Sequence, residues 1–273
     1  MRRGVHEDFA PGNRGGIANL AFVVGGSAVA VVDSGGSRAE GDGLLAAVRA
    51  RTPLPVAYVI NTHLHPDHVL GNAAFRGETR VAFVGHERLG RRLADAGPHY
   101  LASMRRILGE AVFAGTEVVP PTLAVQGRLE LDLGGRTLEL RAWPTAHTDT
   151  DLTVLDRATG TLLAGDLVFL ERIPVLDGSL KGWLGALDEL AGIGASRVVP
   201  GHGPASSPWP DALGPQREYL TGLRDGVRRA LARNLTLDAV VREIPVPAAR
   251  GWLLAEENHP RNVTAGFTEL EWE

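Results

Sequence analysis

The sequence predicts an α/β fold built from two β-rich halves. Three observations carry that reading: short apolar blocks separated by turn residues, a β-α-β unit over residues 28–60, and a histidine cluster at the tip of that unit's last strand. Glycine (34 residues) and proline (17) punctuate the apolar blocks, which suits many short strands and connecting loops better than a helical bundle.

Taken in order, residues 20–24 and 28–32 flank Gly25-Gly26-Ser27 and predict a β-hairpin, whose second strand closes in Asp33-Ser34-Gly35-Gly36. Leu44, Leu45 and Val48 fall at helical spacing within 38–50, and residues 56–60 return as a buried strand. Residues 69–128 are less patterned and are expected to cover a site. They hold a strand at 81–84, a helical stretch from Glu87 to Leu108 interrupted near Gly97-Pro98, and the loop Val119-Pro120-Pro121. A second set of strands is read at 129–133, 138–142, 152–155 and 161–164. Ser179 is a good N-cap for an amphipathic helix over 180–193 carrying Leu180, Trp183, Leu184, Leu187 and Leu190. Val198-Val199 leads a short strand into Gly201-His202-Gly203, helices follow at 213–232 and 236–243, and a loop carries His259.

A chain of 273 residues, 44% apolar and 22% charged, can bury a large core. It reads as one domain over residues 1–273 with a helical C-terminal extension at about 211–273. The net charge of −4 gives no general attraction to phosphate backbones, so nucleic acid is not an expected partner. No run approaches the ~18 apolar residues of a membrane span, and the basic start has no apolar run behind it. As the sequence stands the expectation is a cytoplasmic chain, or a periplasmic one if the native start lies further upstream. Cysteine is absent, so any metal must be held by imidazole and carboxylate, a set suited to zinc or non-haem iron.

Residues 61–72, Asn-Thr-His-Leu-His-Pro-Asp-His-Val-Leu-Gly-Asn, place three histidines and an aspartate within six positions. In an extended segment His63 and His65 share a face, whereas Asp67 and His68 follow Pro66, where the chain must turn. One cluster can therefore feed two adjacent ions. His147, Asp166 and His202 also stand where an apolar run gives way to a polar or Gly-rich turn, so ligands from separate strand ends can converge on one crevice. Taken singly, His147 reads as a hydrogen-bonded turn residue and Asp166 as a cap. The density at 63–68 has no such reading, because that many titratable groups would otherwise crowd without partners.

The chain here resembles the metallo-β-lactamase superfamily, whose His-x-His-x-Asp-His signature is matched by His63, His65, Asp67 and His68. The superfamily's later landmarks follow in order as His147, Gly165-Asp166 and Gly201-His202-Gly203, and the resemblance covers roughly residues 17–205. It implies a four-layer αββα sandwich, two mixed β-sheets flanked by helices. It also implies that His63, His65 and His147 bind a first metal, that Asp67, His68 and His202 bind a second, and that Asp166 bridges them. Two zinc ions per chain are expected, with iron or manganese as alternatives, and Asp67 is the catalytic candidate that orients the nucleophile and shuttles a proton. Asp33 is expected to fix a ligand or a loop without touching metal, an Asx turn being the competing reading. Thr62 and Thr148 adjoin ligands but are read as equally able to satisfy local backbone. His6, His86, His99 and His259 read as surface residues, although His99 and Tyr100 could line a substrate pocket and His259-Pro260-Arg261-Asn262 could fold back near the site. Trp143, Trp183 and Trp252 read as core.

What the resemblance implies about chemistry is hydrolysis of a small-molecule ester, thioester or lactone, because a bridging Asp166 is similar to the glyoxalase II, lactonase and esterase side. The alternatives are a histidine-only β-lactamase, a mononuclear iron persulfide dioxygenase and a non-catalytic metal-binding partner of a redox system. Gly15-Gly16-Ile17-Ala18-Asn19, the run from Pro144 to Leu152 and the closing Glu269-Leu270-Glu271-Trp272-Glu273 further resemble quinoprotein relay system zinc metallohydrolases. That group implies a quinoprotein or redox partner. Its members generally start with an export signal and an opening strand, and the sequence reading finds neither. The sequence does not fix the oligomeric state.

Overall fold

A computed structural model describes Arg2–Arg3 and residues 18–245 and 251–273. Alternation within the strands builds its layers. In β2 (Asn19–Val24) and β3 (Val29–Val32), paired antiparallel as the expected hairpin, successive side chains point to opposite faces. Ala30 and Val32 thus enter one core, and Val29 and Val31 another. β4 (Val56–Ile60), β5 (Ala82–His86) and β6 (Leu123–Val125) extend this sheet in parallel. On the far side of β2, β1 (Arg2–Arg3) pairs antiparallel with Asn19 and Leu20, so the chain does contain an opening strand.

The second sheet holds β7 (Arg128–Asp132), β8 (Thr137–Ala142), β9 (Leu152–Asp156), β10 (Thr161–Phe169), β11 (Arg197–His202) and β12 (Ser207–Pro208), mixed because β10 and β11 alone run parallel. Its inner residues Leu138, Leu140, Val154 and Leu163 meet Ala30, Val32, Ile60 and Val84 of the first sheet in a shared core. Helix α1 (Arg38–Arg51) covers the first sheet with Leu44 and Val48, and is capped by Ser37, whose side chain accepts from Glu40 N. A two-residue clasp completes the cap, because Gly36 N donates to Glu40 Oε2 at 2.9 Å. On the outer face of the second sheet lie α5 (Leu180–Ala191), α6 (Gly214–Ala232), α7 (Leu237–Glu243) and α8 (Ala255–Leu270), packed through Trp183, Leu187, Leu220, Val227 and Val263. The result is the expected helix–sheet–sheet–helix sandwich.

Four expectations are corrected. The helix read as interrupted at Gly97-Pro98 runs unbroken as Leu89–Leu108. Proline removes one helical hydrogen bond, but Leu89, Leu93, Ala96, Tyr100, Met104 and Leu108 pack on both sides of it at helical spacing. His259 lies in α8, not in a loop: Ala255, His259, Asn262, Val263, Gly266 and Leu270 form one buried stripe that outweighs Pro260. β10 does not end before Asp166 but continues to Phe169 through a bulge at Gly165. Finally, His86 and His259 are buried rather than superficial. His6 and Gly15-Gly16-Ile17 lie outside the described residues. Trp143 and Trp183 are fully buried and Trp252 is packed against the same core, as expected. Among the described residues no helix is long and apolar enough to cross a membrane.

Candidate metal centre

The ends of β3, β4, β10 and β11 open on one side of the two sheets, and the expected residues gather there. Past the tip of β4, His63 and His65 remain on extended chain, while Pro66 starts the four-residue helix α2 (Pro66–Val69) that carries Asp67 and His68. That change of backbone divides the cluster. His63, His65 and His147 join Asp166 in one group of donor atoms, and Asp67, His68 and His202 form a second; within each group the donor atoms lie within 4.8 Å of one another. Asp166 faces both, with Oδ2 3.5 Å from His147 Nε2 and Oδ1 3.2 Å from His68 Nε2. All seven ligand candidates are thus brought together.

Hydrogen bonds at the outer edge of each ring set its inner nitrogen. His147 Nδ1 donates to Val175 O at 2.7 Å, and His65 Nε2 donates to Asp177 Oδ2 at 2.9 Å. His68 Nδ1 donates to Asp33 Oδ2 at 2.8 Å. Thr62 Oγ1 gives its proton to Asp33 Oδ2, so it accepts from His63 Nδ1 at 3.1 Å. Four rings therefore turn bare nitrogens inward, the tautomer of a metal ligand. His147 Nε2 and His65 Nδ1 stand 3.1 Å apart with both protons spent elsewhere, a pair of lone pairs that a cation between them would satisfy. His63 Nε2, His68 Nε2 and Asp166 Oδ1 are buried with no hydrogen-bond partner, which is costly unless an ion fills the space. The residues fit a metal centre.

Electrostatics agree. Burial holds His147 down at about 3 and His63 well below its ordinary value, so both rings stay neutral and ready to ligate. Burial opposes charge on His68, yet Asp166, Asp33 and Asp67 push that ring well above the ordinary value. Asp166 is raised by burial, but His202, His68 and His63 hold it well below the usual carboxylate range. Burial opposes charge on His202 too, yet Asp166 and Asp67 push it up to about 9; the buried carboxylates thus draw positive charge into the site, which a bound cation would supply in place of those ring protons.

Asp33 behaves as expected: it reaches no group of donor atoms itself but accepts from His68, Thr62 Oγ1 and, at 2.8 Å, Thr62 N. Its φ of 57° is a strained setting that aims both oxygens. Thr62 therefore orients His63 directly and His68 through Asp33, whereas Thr148 serves its own loop through Asp151. Glycine is required where backbones converge: a Cβ on Gly201 would lie 1.8 Å from Asp166 Oδ1.

Sequence reasoning passed over Asp177, Arg172 and Phe169. Phe169 stacks on His202 with ring centroids 5.3 Å apart, and Arg172 Nη1 lies 2.7 Å from His202 Nδ1. The available signal was three charges, Glu171, Arg172 and Asp177, in the otherwise apolar stretch after Asp166. A cavity of about 190 Å³ opens on the centre, lined by His65, Asp67, Phe169, Arg172, Leu254 and Asn258. The expected contributors His99 and Tyr100 do not line it. A larger hollow of about 720 Å³ between α6, α7 and α8 is lined by Tyr219, Trp252 and His259 and by none of the seven ligand candidates.

The profile of the metallo-beta-lactamase superfamily matches residues 13–202. The chain belongs to that superfamily. Among solved structures, the superfamily fold recurs in a double mutant of the sec-alkyl sulfatase PisA1 at 16% identity and a TM-score of 0.73, over 94% of this chain and 48% of that one. The stereoselective inverting sec-alkylsulfatase Pisa1 from Pseudomonas sp. gives 16% identity and 0.70 over 93% and 47%. The metallo-beta-lactamase from Pontibacter korlensis gives 21% identity and 0.62 over 75% of this chain and 87% of that one. The chain thus spans about half the length of the alkylsulfatases. A search of the curated proteins found no significant match.

Proposed function

We propose that the chain is a metal-dependent hydrolase with two zinc positions that acts on an ester, thioester or lactone carbonyl. The observation that supports this most directly is the pair of donor groups sharing Asp166, with buried donor atoms that no protein group satisfies. Two divalent ions held there would polarise the substrate carbonyl and acidify a water to near neutral pH. His63, His65 and His147 would hold one ion, and Asp67, His68 and His202 the other, with Asp166 between them. The chain's own groups do the rest. Asp67, half-buried at the cavity, orients the attacking water and carries its proton to the leaving group. Phe169, Ile173 and Leu254 give the cavity an apolar wall that accepts an acyl or alkyl chain.

The full ligand set favours hydrolysis over a mononuclear iron dioxygenase, which needs fewer ligands. The resemblance to quinoprotein relay system metallohydrolases supports a quinoprotein or redox partner, checked by co-purification with a quinoprotein dehydrogenase. Recovery of the chain alone would count against that partner.

The deciding experiment reconstitutes metal-free protein with zinc and screens lactones, thioesters, phosphodiesters, β-lactams and sulfate esters. Sulfate esters belong in the screen because the fold match to the alkylsulfatases reaches the C-terminal helices. Zinc-dependent turnover of a carbonyl ester is expected, abolished in His63→Ala and Asp166→Asn. Unchanged turnover in both variants would move the site elsewhere, and a single tightly bound iron would end the two-zinc reading.

A further inference from the structure

The hollow of about 720 Å³ between α6, α7 and α8 falls within the roughly 300–1,000 Å³ of small-molecule sites. It is separate from the metal centre. Segment 252–254 stands between the two spaces: Trp252 lines the hollow, whereas Leu254 lines the cavity over the ligand residues. Among the described residues no group of metal donors belongs to its wall. The hollow is thus suited to hold a molecule without converting it.

Its floor is open for a reason that packing does not supply. Tyr219, Gly222, Gly226, Arg229 and Arg233 follow one face of α6 at helical spacing. Glycine is the poorest helix former after proline, so two of them one turn apart weaken the helix. At Gly226 close packing explains the choice, because a Cβ there would press on Ile244 Cδ1 at 3.3 Å. At Gly222 a Cβ would meet nothing within 4 Å. The missing side chain leaves room for a guest.

The two ends differ in chemistry. At one, Tyr219 meets Trp252 and His259 at tilted angles, with ring centroids 6.2 Å and 5.8 Å apart. The polar atoms of these rings are engaged or covered. Tyr219 Oη accepts from Asn262 Nδ2 at 2.8 Å and donates to His259 Nδ1 at 3.0 Å, His259 Nε2 donates to Ile244 O at 3.1 Å, and Trp252 Nε1 is shielded from solvent. With Leu223 and Ile244 this end offers apolar surface, and its crossed rings form no parallel slot for a flat aromatic guest. The other end lies about 15 Å further along α6, at the exposed Arg229 and Arg233. Arg233 is paired with Glu243, whereas Arg229 has Asp225 one turn away but no carboxylate in contact among the described residues. Glu218, next to Tyr219, directs an anionic head away from the aromatic end.

We infer that the hollow binds a medium-chain alkanoate, its acyl chain against Tyr219, Trp252 and Leu223 and its carboxylate on Arg229. A guanidinium matches a carboxylate with two parallel N–H groups. The site stands independently of the chemistry proposed for the metal centre.

The test is isothermal titration calorimetry of the full-length protein, with and without its metal, using decanoate and decyltrimethylammonium, which carries the same chain under the opposite charge. Decanoate should bind once per chain in both metal states, at least about tenfold tighter than the cation, and Arg229→Gln should weaken it about tenfold. Gly222→Leu lays a side chain across the hollow and should abolish binding while raising the urea midpoint, because leucine favours the helix; Gly222→Ala should raise the midpoint and keep the ligand. Binding that disappears with the metal would assign the acid to the metal centre and overturn the inference. No binding, equal affinity for the two heads, or undiminished binding in folded Gly222→Leu would overturn it as well. If Gly222→Leu does not fold, the indole N–H signals of the unaltered protein decide. The Trp252 signal, assigned through Trp252→Phe, should move as decanoate is added, and a stationary signal refutes the site.

Discussion

At the scale of single residues, the centre depends on groups that touch no substrate. Gly201 leaves room for the Asp166 carboxylate, and a methyl group there would overlap Oδ1 at 1.8 Å. Overpacking of that kind costs roughly 1–3 kcal/mol. Gly201→Ala should therefore unfold at lower urea and lose zinc to chelator sooner than the parent; unchanged zinc content would show that Asp166 has room to move. Asp33 accepts three hydrogen bonds, from His68 and twice from Thr62. Asp33→Ala leaves the buried His68 Nδ1–H and Thr62 N–H unsatisfied, a loss of about 2–4 kcal/mol, and should weaken metal binding although the residue reaches no metal. Urea unfolding and metal analysis of the purified variant check both parts. The metal signature of residues 63–68 was legible because histidine density at a strand tip has few other uses. The partners Val175, Asp177 and Arg172 were not, because they meet the rings only after β10 and the segment behind it are folded into place.

At the scale of elements, α8 places Asn258 on the cavity wall and supports the centre from behind through Asn262. Asn262 Nδ2 donates to Pro174 O at 2.6 Å and Oδ1 accepts from Leu176 N at 2.9 Å. Between those contacts lies Val175, whose carbonyl takes the His147 proton. Asn262→Ala strips a buried donor and a buried acceptor of their partners, about 2–4 kcal/mol in all. It should also loosen metal at the His147 group, read as faster release to a chelator; an unaltered release rate would separate α8 from the site. The same helix shows why local signals misled. Gly97-Pro98 reads as an interruption and His259 as part of a loop, yet Pro98 and Pro260 each sit in a continuous helix because apolar contacts on both sides outweigh a single lost hydrogen bond. The hairpin, α1 and β4 were read within a residue or two, since their alternation and spacing are local.

For the molecule as a whole, the C-terminal helices are part of the sandwich. Leu220, Leu223, Val227, Val263 and Leu270 bury the outer face of the second sheet together with Trp183 and Val198. A chain ending at residue 210 should fail to unfold cooperatively, because that face would lie open to water; a sharp calorimetric transition in the truncated chain would contradict this. The helices also add a pH dependence. His259 is held neutral by burial, its Nδ1 receiving the Tyr219 hydroxyl proton at 3.0 Å and its Nε2 donating to Ile244 O at 3.1 Å. Its folded value lies below the unfolded one near 6.5, so below about pH 6.5 the unfolded chain binds a proton that the folded chain refuses. Stability should therefore fall as the pH drops from 7 to 5. Urea unfolding of His259→Gln should show a shallower fall over that range, and parallel curves would exclude His259 as the cause.

The sequence by itself determined the α/β class and the strand at whose tip the histidine cluster sits, because both are written in local spacing and residue type; His147, Asp166 and His202 joined that cluster through the resemblance to the superfamily. Only the tertiary structure decided which groups meet the outer nitrogen of each ring, that Asp166 faces both donor groups through a bulge, and that Arg172 lies against His202. Those outcomes depend on hydrogen bonds between residues as far apart as His65 and Asp177 or Arg172 and His202. Such pairings come into being when the two sheets close on each other.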